Sequence, residues 1–535
     1  MGTLPLPAAP LQAARPRHRT TSEGRPTIAG AAFHPPLRDG RSKPHIVSPH
    51  LPAALSHSDA YQEAPVAVHA VTRFTAVTVH ERQAMLDEIG VADVDELFAD
   101  IPAHLRLGRE LELPAAACED DVLRELSGMA DRNVSTAREV CFLGAGMYDH
   151  YVPAVVDAIV GRAEFLTPYT PYQPEVSQGT LQAMFEYQTA ITELTGLPVA
   201  NASVYDGASA VAAAAYLAKL ANGRGRLVVS GGLHPHARQT LDTHAVGYGM
   251  EVIEVALEGT VTDAAKLRSA MSDEVSAVFI QQPNFLGAVE EVEAVAASAQ
   301  ACGALLVCSV DPMTLGVLEA PGHQGADVVV GEGQALGGRL SFGGPSLGFF
   351  AARRDLIRQM PGRIAGETVD VDGRRGWVTT LQTREQHIRR AKATSNICTA
   401  QSLNALAAIV YLSWLGRDGL VELGERLLAQ TDYSRRVLAT LDGVTAVDAA
   451  PVVREFTLRL PVDGLAAVQR VHERCAAAGV NPGYPLGIDY PELADCLLVA
   501  VTERRTRADI ERLAVTLDRA LEPERLPLTR PLAAA

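Results

Sequence analysis

Only four lysines, Lys43, Lys219, Lys266 and Lys392, occur among the 535 residues, while arginine supplies the other 43 of the 47 basic side chains. Chemistry that needs an amine nucleophile therefore has few places to go. Lys219 falls late in a helical stretch and Lys266 in an acidic one, so both read as solvated positions. Lys392 closes the basic run Arg384-Glu385-Gln386-His387-Ile388-Arg389-Arg390-Ala391-Lys392. Neighbouring cations lower the pKa of an ammonium and make the amine nucleophilic. The same run equally describes a charged helix face, or a strip that docks on an acidic surface.

Other segments have the composition of binding elements. Asp206-Gly207-Ala208-Ser209 leads from a strand into an alanine-rich helix. Free backbone N–H groups at such a turn can take an anion, or the aspartate can simply be an N-cap. Asp311 ends the apolar run Leu305–Val310, where a carboxylate can pair with a protonated ring nitrogen or cap the next turn. Tyr169-Thr170-Pro171-Tyr172-Gln173-Pro174-Glu175 sets two tyrosines and an amide between prolines, a stiff loop suited to a pocket wall, an interface or a connector. Gly343-Gly344-Pro345, within Ser341–Gly348, predicts a tight turn with close backbone approach. Tyr169, Tyr172, Gln173, Ser341, Gly343 and Gly344 are the candidates for cavity or interface roles.

Composition narrows the class. A chain 47% hydrophobic and 21% charged can bury a large core. The formal charge of −16 argues against a nucleic-acid surface. No apolar run approaches the length of a membrane span, and the acidic charge balance favours a soluble cytoplasmic protein. The seven cysteines are dispersed without a C-x-x-C pair, which reads as reduced thiols rather than a disulfide framework, and no metal site is expected.

Those residues need elements to position them. Residues 1–66 hold 11 of the 32 prolines and five histidines without helical or strand periodicity, and are expected to be a disordered tail, or to precede a true start near Val71. Residues 67–195 read as an N-terminal helical arm and linker, with helical patterns at Glu81–Gly90, Asp93–Phe98 and Asp120–Asp131. Residues 196–393 alternate short apolar strands with helices. The strands are Val199–Val204, Arg226–Ser230, Glu251–Val255, Ala277–Gln281, Ala304–Val310, Ala326–Val330 and Leu347–Ala351. The helices include Ala208–Leu220, Ala264–Met271 and Val289–Cys302. This alternation predicts a large, mostly parallel seven-strand sheet covered on both faces. Residues 394–525 predict a small α+β domain carried on a long helix, Ala400 to about Leu441, with strands Val452–Leu460 and Leu497–Thr502 and helices Leu465–Ala478 and Arg507–Leu521.

An α/β large domain of this kind, an N-terminal arm and a small C-terminal lobe together resemble the aspartate-aminotransferase-like fold, fold type I of the pyridoxal-phosphate enzymes. In that fold the Schiff-base lysine follows the strand at Val328–Val330. Here the stretch Gly331-Glu332-Gly333-Gln334-Ala335-Leu336-Gly337-Gly338-Arg339 contains none. Arginine cannot stand in, because its guanidinium stays protonated.

Longer motifs resemble the P-protein family of the glycine cleavage system, in the first-subunit group of its two-chain form. They are Gly144-Ala145-Gly146-Met147-Tyr148-Asp149-His150-Tyr151, Thr167–Glu175, Val329–Gln334, Leu340-Ser341-Phe342-Gly343-Gly344-Pro345, Met360-Pro361-Gly362-Arg363 and Leu381–Thr399. The similarity runs from about Arg73 to Leu521 and leaves residues 1–66 without a counterpart. The resemblance implies glycine decarboxylation through pyridoxal phosphate and transfer of the aminomethyl group to the lipoyl arm of H-protein. It also implies that a homologous subunit 2 carries the cofactor and its lysine, that the assembly is an α2β2 tetramer, and that this chain completes the active site at the subunit contact. Asp206, Gly207, Ala208, Ser209 and Asp311 would then be vestiges of a cofactor site. The rival expectations are a self-sufficient pyridoxal-phosphate decarboxylase or lyase using Lys392, and a non-catalytic structural or regulatory paralogue.

Overall fold

The structure is a computed structural model, and it describes residues 76–109, 111–447 and 450–525. The expected tail, residues 1–66, lies outside the described residues. The chain divides into two compact units, up to Ala116 and from Ala117.

In the first unit, helix α1 (Val79–Ile89) is closed at both ends by its own sequence. The Thr78 hydroxyl accepts from the Glu81 N–H while the Glu81 carboxylate accepts from the Thr78 N–H, a reciprocal capping box. Gly90, at φ 85°, ends the helix in the left-handed conformation that glycine adopts without strain. The 3-10 turn Val94–Phe98 follows, with Asp93 as its cap.

The second unit is built on seven strands: β1 (Val199–Ala200), β2 (Arg226–Ser230), β3 (Glu251–Val255), β4 (Val275–Gln282), β5 (Leu305–Val310), β6 (Val328–Glu332) and β7 (Gly348–Ala352). They form one sheet in the order β1-β7-β6-β5-β4-β2-β3. All pairings from β3 through β6 are parallel, and β7 runs antiparallel to both of its neighbours. The large, mostly parallel seven-strand sheet expected from the sequence is therefore present. Residues alternate between two cores, with Val228, Val278, Leu306 and Val329 on one face and Leu227, Ala277, Val307 and Val330 on the other. Apolar residues on both faces are what a parallel sheet covered by crossover helices requires.

One face is covered by α2 (Gln178–Thr195) and α5 (Val292–Cys302), and the other by α3 (Gly207–Asn222) and α4 (Pro235–Tyr248). Helix α4 fills a crossover that the strand–helix alternation implies but was not itself named from the sequence, because its apolar stripe is only Ala237, Leu241 and Ala245 in an otherwise polar sequence. The hairpin Ile364–Val369/Arg375–Thr380 was also missed; its turn needs Gly373 at φ 78°. Strand β1 is shorter than its apolar run suggests. Asn201 turns its amide to the Pro361 carbonyl, Ser203 takes φ 89°, and Val204 keeps only an isolated bridge to Gly348.

Helix α6 (Ser402–Leu438) joins the two halves of this unit. Its first part lays Ala405, Ala408 and Tyr411 on the large core, Gly416 at φ 66° breaks its line, and its end puts Leu438 in the core of the small domain. There, β8 (Thr445–Ala446), β9 (Glu455–Arg459), β10 (Tyr484–Pro485) and β11 (Cys496–Ala500) form a sheet in the order β8-β9-β11-β10. Helices α7 (Gly464–Ala477) and α8 (Arg507–Leu521) pack on that sheet through Val468, Val471, Leu513 and Leu517.

The large and small domains meet at backbone distance. A Cβ added to Gly287, at φ 92°, would lie 2.2 Å from the carbonyl oxygen of Glu455. Gly287→Ala is therefore expected to combine overpacking with left-handed strain and to lower the unfolding free energy by about 2–4 kcal/mol. A wild-type denaturation midpoint in that variant would show that this joint is loose.

Candidate active-site cavity

The carboxyl ends of β4, β5 and β6, the amino ends of α3 and α4, and the start of β9 surround a cavity of about 530 Å³. Clefts at the carboxyl edge of a parallel sheet are where α/β folds bind ligands.

One wall is a buried charge network. Asp311, directly after β5, accepts from the Met313 N–H at 3.1 Å and forms an ion pair with Arg454. The Arg454 side chain is only 2% exposed and lies over the Tyr148 ring, 3.2 Å from its centroid. It also donates to Nε2 of His150 at 2.5 Å. A guanidinium only donates, so Nε2 is an acceptor and the His150 proton is on Nδ1, directed at Glu503 2.5 Å away. Burial works against the charge on Arg454, but Asp311, Tyr148 and Glu455 outweigh it and raise its pKa. Burial likewise works against ionised Glu503, yet His150 and the Tyr151 N–H hold its pKa below the usual range.

Beside it, the Tyr148 hydroxyl donates to Glu455 at 2.6 Å, and the second Glu455 oxygen accepts from the Ala145 N–H at 2.8 Å. Burial pushes the Glu455 carboxyl up, against the pull of Arg454. Gln334 clamps the same segment, accepting from the Tyr148 N–H and donating to its carbonyl. The wall around Ala145–Tyr148 is thus tied both to the large sheet and to the small domain.

The opposite wall centres on Glu332. One carboxylate oxygen accepts from the Gly207 N–H at 3.0 Å, and the other accepts from the N–H groups of Gln334 at 2.9 Å and Leu347 at 3.1 Å, and from the Ser346 hydroxyl. Burial raises the Glu332 pKa, and these donors only partly offset it. A Cβ on Gly207 would sit 2.9 Å from the Glu332 nitrogen, so this approach requires glycine. Asp206 caps α3 by accepting from the Ser209 N–H at 2.7 Å.

His234 forms part of the floor. Its Nδ1 accepts from the His236 N–H, its Nε2 faces the Ala145 carbonyl at 3.0 Å, and its ring meets the edge of Phe285. This arrangement suits a neutral imidazole with the proton on Nε2. Burial pushes its pKa from 6.5 down to about 4.

The structure brings some of the sequence candidates together and not others. Asp206, Gly207, Ala208, Asp311, Gly343 and Gly344 line the cavity, whereas Ser209 and Ser341 do not. Tyr169, Tyr172 and Gln173 stand outside it. Tyr169 is 80% exposed, and Tyr172 packs under the guanidinium of Arg363, accepts from it at 3.2 Å and meets the His387 ring. Gln173 precedes the 3-10 turn Pro174–Val176. Lys392 is exposed at the end of the turn Arg390–Lys392, Lys219 donates to the Tyr248 carbonyl, and Lys266 pairs with Asp263. No lysine among the described residues lines the cavity.

Glu332, His234, Arg454, Tyr148 and Glu455 were not singled out from the sequence. One signal was available. Arg454-Glu455 interrupts the apolar run Val452–Leu460, and a charged pair inside a strand core needs partners.

This sheet, this small domain and this cavity place the chain among the fold type I pyridoxal-phosphate-dependent enzymes. The same fold is found in a sphingosine-1-phosphate lyase from Burkholderia pseudomallei, at TM-score 0.57 and 16% identity over 79% of this chain and 95% of that one. A glutamate decarboxylase from Lactobacillus brevis shares it at TM-score 0.60 and 12% identity over 79% of this chain and 97% of that one. Within the class, the chain belongs to the glycine cleavage system P-protein family, whose model matches residues 72–517. It is 49% identical over 446 residues, 83% of this chain and 99% of the relative, to a probable glycine dehydrogenase (decarboxylating) subunit 1 from Geotalea uraniireducens. A protein of the same description from Desulforamulus reducens is 47% identical over 83% of this chain and 99% of its own length. A crystal structure of a glycine decarboxylase (P-protein) in inhibitor-bound form matches at TM-score 0.76 and 42% identity, covering 84% of this chain and all of that one.

The described residues do not fit covalently held pyridoxal phosphate. The stretch after β6 has no lysine, Asp311 is taken by Arg454, and the first N–H of α3 is taken by Glu332.

The His234 environment has a consequence for pH dependence. Because its folded pKa lies below 6.5, the unfolded chain takes up the proton first as pH falls. Stability is then lost between about pH 6.5 and 4, by about 2–3 kcal/mol from this group. His234→Asn should flatten the fall in unfolding free energy across that window relative to wild type. Parallel profiles in chemical denaturation at pH 7 and pH 4.5 would contradict the assignment.

Proposed function

We propose that this chain is the first subunit of a two-chain glycine dehydrogenase (decarboxylating), catalytically incomplete alone. Paired with a homologous second subunit as an α2β2 tetramer, it would decarboxylate glycine and deliver the aminomethyl group to the lipoyl arm of H-protein. The observation that carries this reading is a cavity of the pyridoxal-phosphate class with no lysine in its wall. Relatives matched over almost their whole length and described as subunit 1 support it.

The cofactor, held by the partner subunit in this reading, supplies the electron sink for the carbanion left by loss of carbon dioxide. This chain contributes geometry and burial. Tyr169, Tyr172 and Gln173, with the turn at Ser341, Gly343 and Gly344, are the elements we assign to the subunit contact and the cavity it closes. Closing that cavity excludes water from the reacting centre and strengthens electrostatic interactions inside it. No helix among the described residues is long and apolar enough to cross a membrane, and we place the complex in the cytoplasm, without nucleic acid as a partner.

Two measurements test this reading. The purified chain mixed with pyridoxal phosphate should show no visible absorption from lysine-bound cofactor, and glycine decarboxylation should appear only when subunit 2 is added. A band in the isolated chain that borohydride fixes to Lys392 would overturn the proposal. In the mixed enzyme, Tyr172→Ala combined with Gln173→Ala should lower turnover by roughly tenfold or more while the complex still assembles. Unchanged turnover in an intact complex would remove that loop from the site.

A further inference from the structure

Glu332 sits where an enzyme of this fold would receive a ligand. Its carboxylate collects three backbone N–H groups and one hydroxyl, from Gly207, Gln334, Leu347 and Ser346, in three segments separated along the chain. Converging backbone N–H donors, one of them the first N–H of a long helix, are how proteins hold external oxyanions. Here the oxyanion belongs to the chain itself, and Gly207 leaves no room for a side chain between the helix and Glu332.

The other wall shows the complementary arrangement. A ring cofactor with a protonated nitrogen needs a carboxylate partner. The carboxylate at that position, Asp311, already holds a cation from the same chain, Arg454 on the Tyr148 ring. The anion-binding corner is filled by an anion and the cation-binding corner by a cation, at two independent positions in one cavity.

We propose that Glu332 and Arg454 are intramolecular stand-ins for the phosphate and the ring cation of a cofactor, completing the charge pattern of the cavity and closing it to phosphate monoesters. A phosphate group entering the corner at Gly207 would have to displace the Glu332 oxygen that accepts from the Gly207 N–H, in a carboxylate anchored by three further donors. Charges of the chain itself thereby hold the cavity in shape, Glu332 within the large domain and Arg454 across the joint to the small one. This goes beyond the assignment to glycine decarboxylation. It concerns the chain by itself, its test does not use turnover, and its failure would leave that assignment standing.

The test is the melting temperature of the full chain with two probes, inorganic phosphate and 4′-deoxypyridoxine phosphate, which has no aldehyde to react with surface amines. At about 10 mM either probe should leave the wild type unshifted, since only a ligand bound to the folded state raises the melting temperature. Glu332→Ala should melt roughly 3–5 °C lower, and phosphate should recover at least half of that loss. A wild-type shift as large as that of the variant would overturn the proposal, as would a folded Glu332→Ala protein indifferent to phosphate. Should Glu332→Ala not fold, Glu332→Gln decides the matter. It keeps the shape, but whichever way the amide turns its NH2 meets at least one backbone N–H donor, so it should also melt several degrees lower. A wild-type melting temperature for Glu332→Gln would overturn the idea.

Discussion

The buried ion pair between Asp311 and Arg454 is the constraint on which the rest of the second unit depends. Asp311 ends the central strand of the large sheet, and Arg454 stands at the entrance to β9 of the small domain. Removing two charges from water costs several kcal/mol for each ion, and their attraction offsets this only if the remaining donors and acceptors are also satisfied. Arg454 therefore draws in further partners: the face of Tyr148, the acceptor nitrogen of His150 and, through it, Glu503. Tyr148 and His150 come from one segment and Glu503 from the far end of the small domain. The pair consequently fixes how the Ala145–Tyr151 segment, the large sheet and the small domain sit against one another.

Close backbone packing follows from that geometry. Gly144, Gly287 and Gly316 each occupy places where an added Cβ would fall between 2.2 and 2.3 Å from an atom of the small domain or of α6. These contacts let the backbones approach to a distance that any side chain would forbid. A fold of this class usually shapes its cleft around a cofactor. In this chain the cleft is shaped by charges the chain carries itself, at Arg454 and Glu332, and the cavity keeps polar walls without offering an amine.

Much of the scaffold was legible because its local physics is strong. Strands β2 and β3 begin and end where the sequence places them: β2 is the apolar run that a covered parallel strand requires, and β3, at the edge of the sheet, keeps Val252, Ile253 and Val255 beside its two glutamates. Helix α3 was legible from its alanines and from Asp206, which caps it. Helix α4 was not, because three small or apolar residues on one face suffice when a sheet and a neighbouring helix supply the rest of the burial. The hairpin at Ile364–Val369 was missed for a related reason: its residues are half exposed and held by Gln178, which pairs with Trp377 from far away in sequence.

The candidate site divides in the same way. Asp206, Gly207, Ala208 and Asp311 could be named from sequence because each ends or begins an element, and such positions in an α/β sheet face the cleft. Tyr172 was recognised as unusual, but its neighbours, Arg363 and His387, lie far along the chain, the first of them 191 positions away, and only folding sets it beside them instead of in the cavity. Glu332 looks ordinary in sequence, between two glycines, and Arg454 is marked only by standing with Glu455 inside an apolar run. Composition and order alone determined the fold class, the family and the missing lysine, because those are carried by periodicity, by long contiguous motifs and by residue identity. Tertiary structure alone decided that Glu332 and Arg454 come to occupy two corners of the cavity, because charge pairing depends on distance in space, and Gly207 and Glu332 are 125 positions apart before the chain folds.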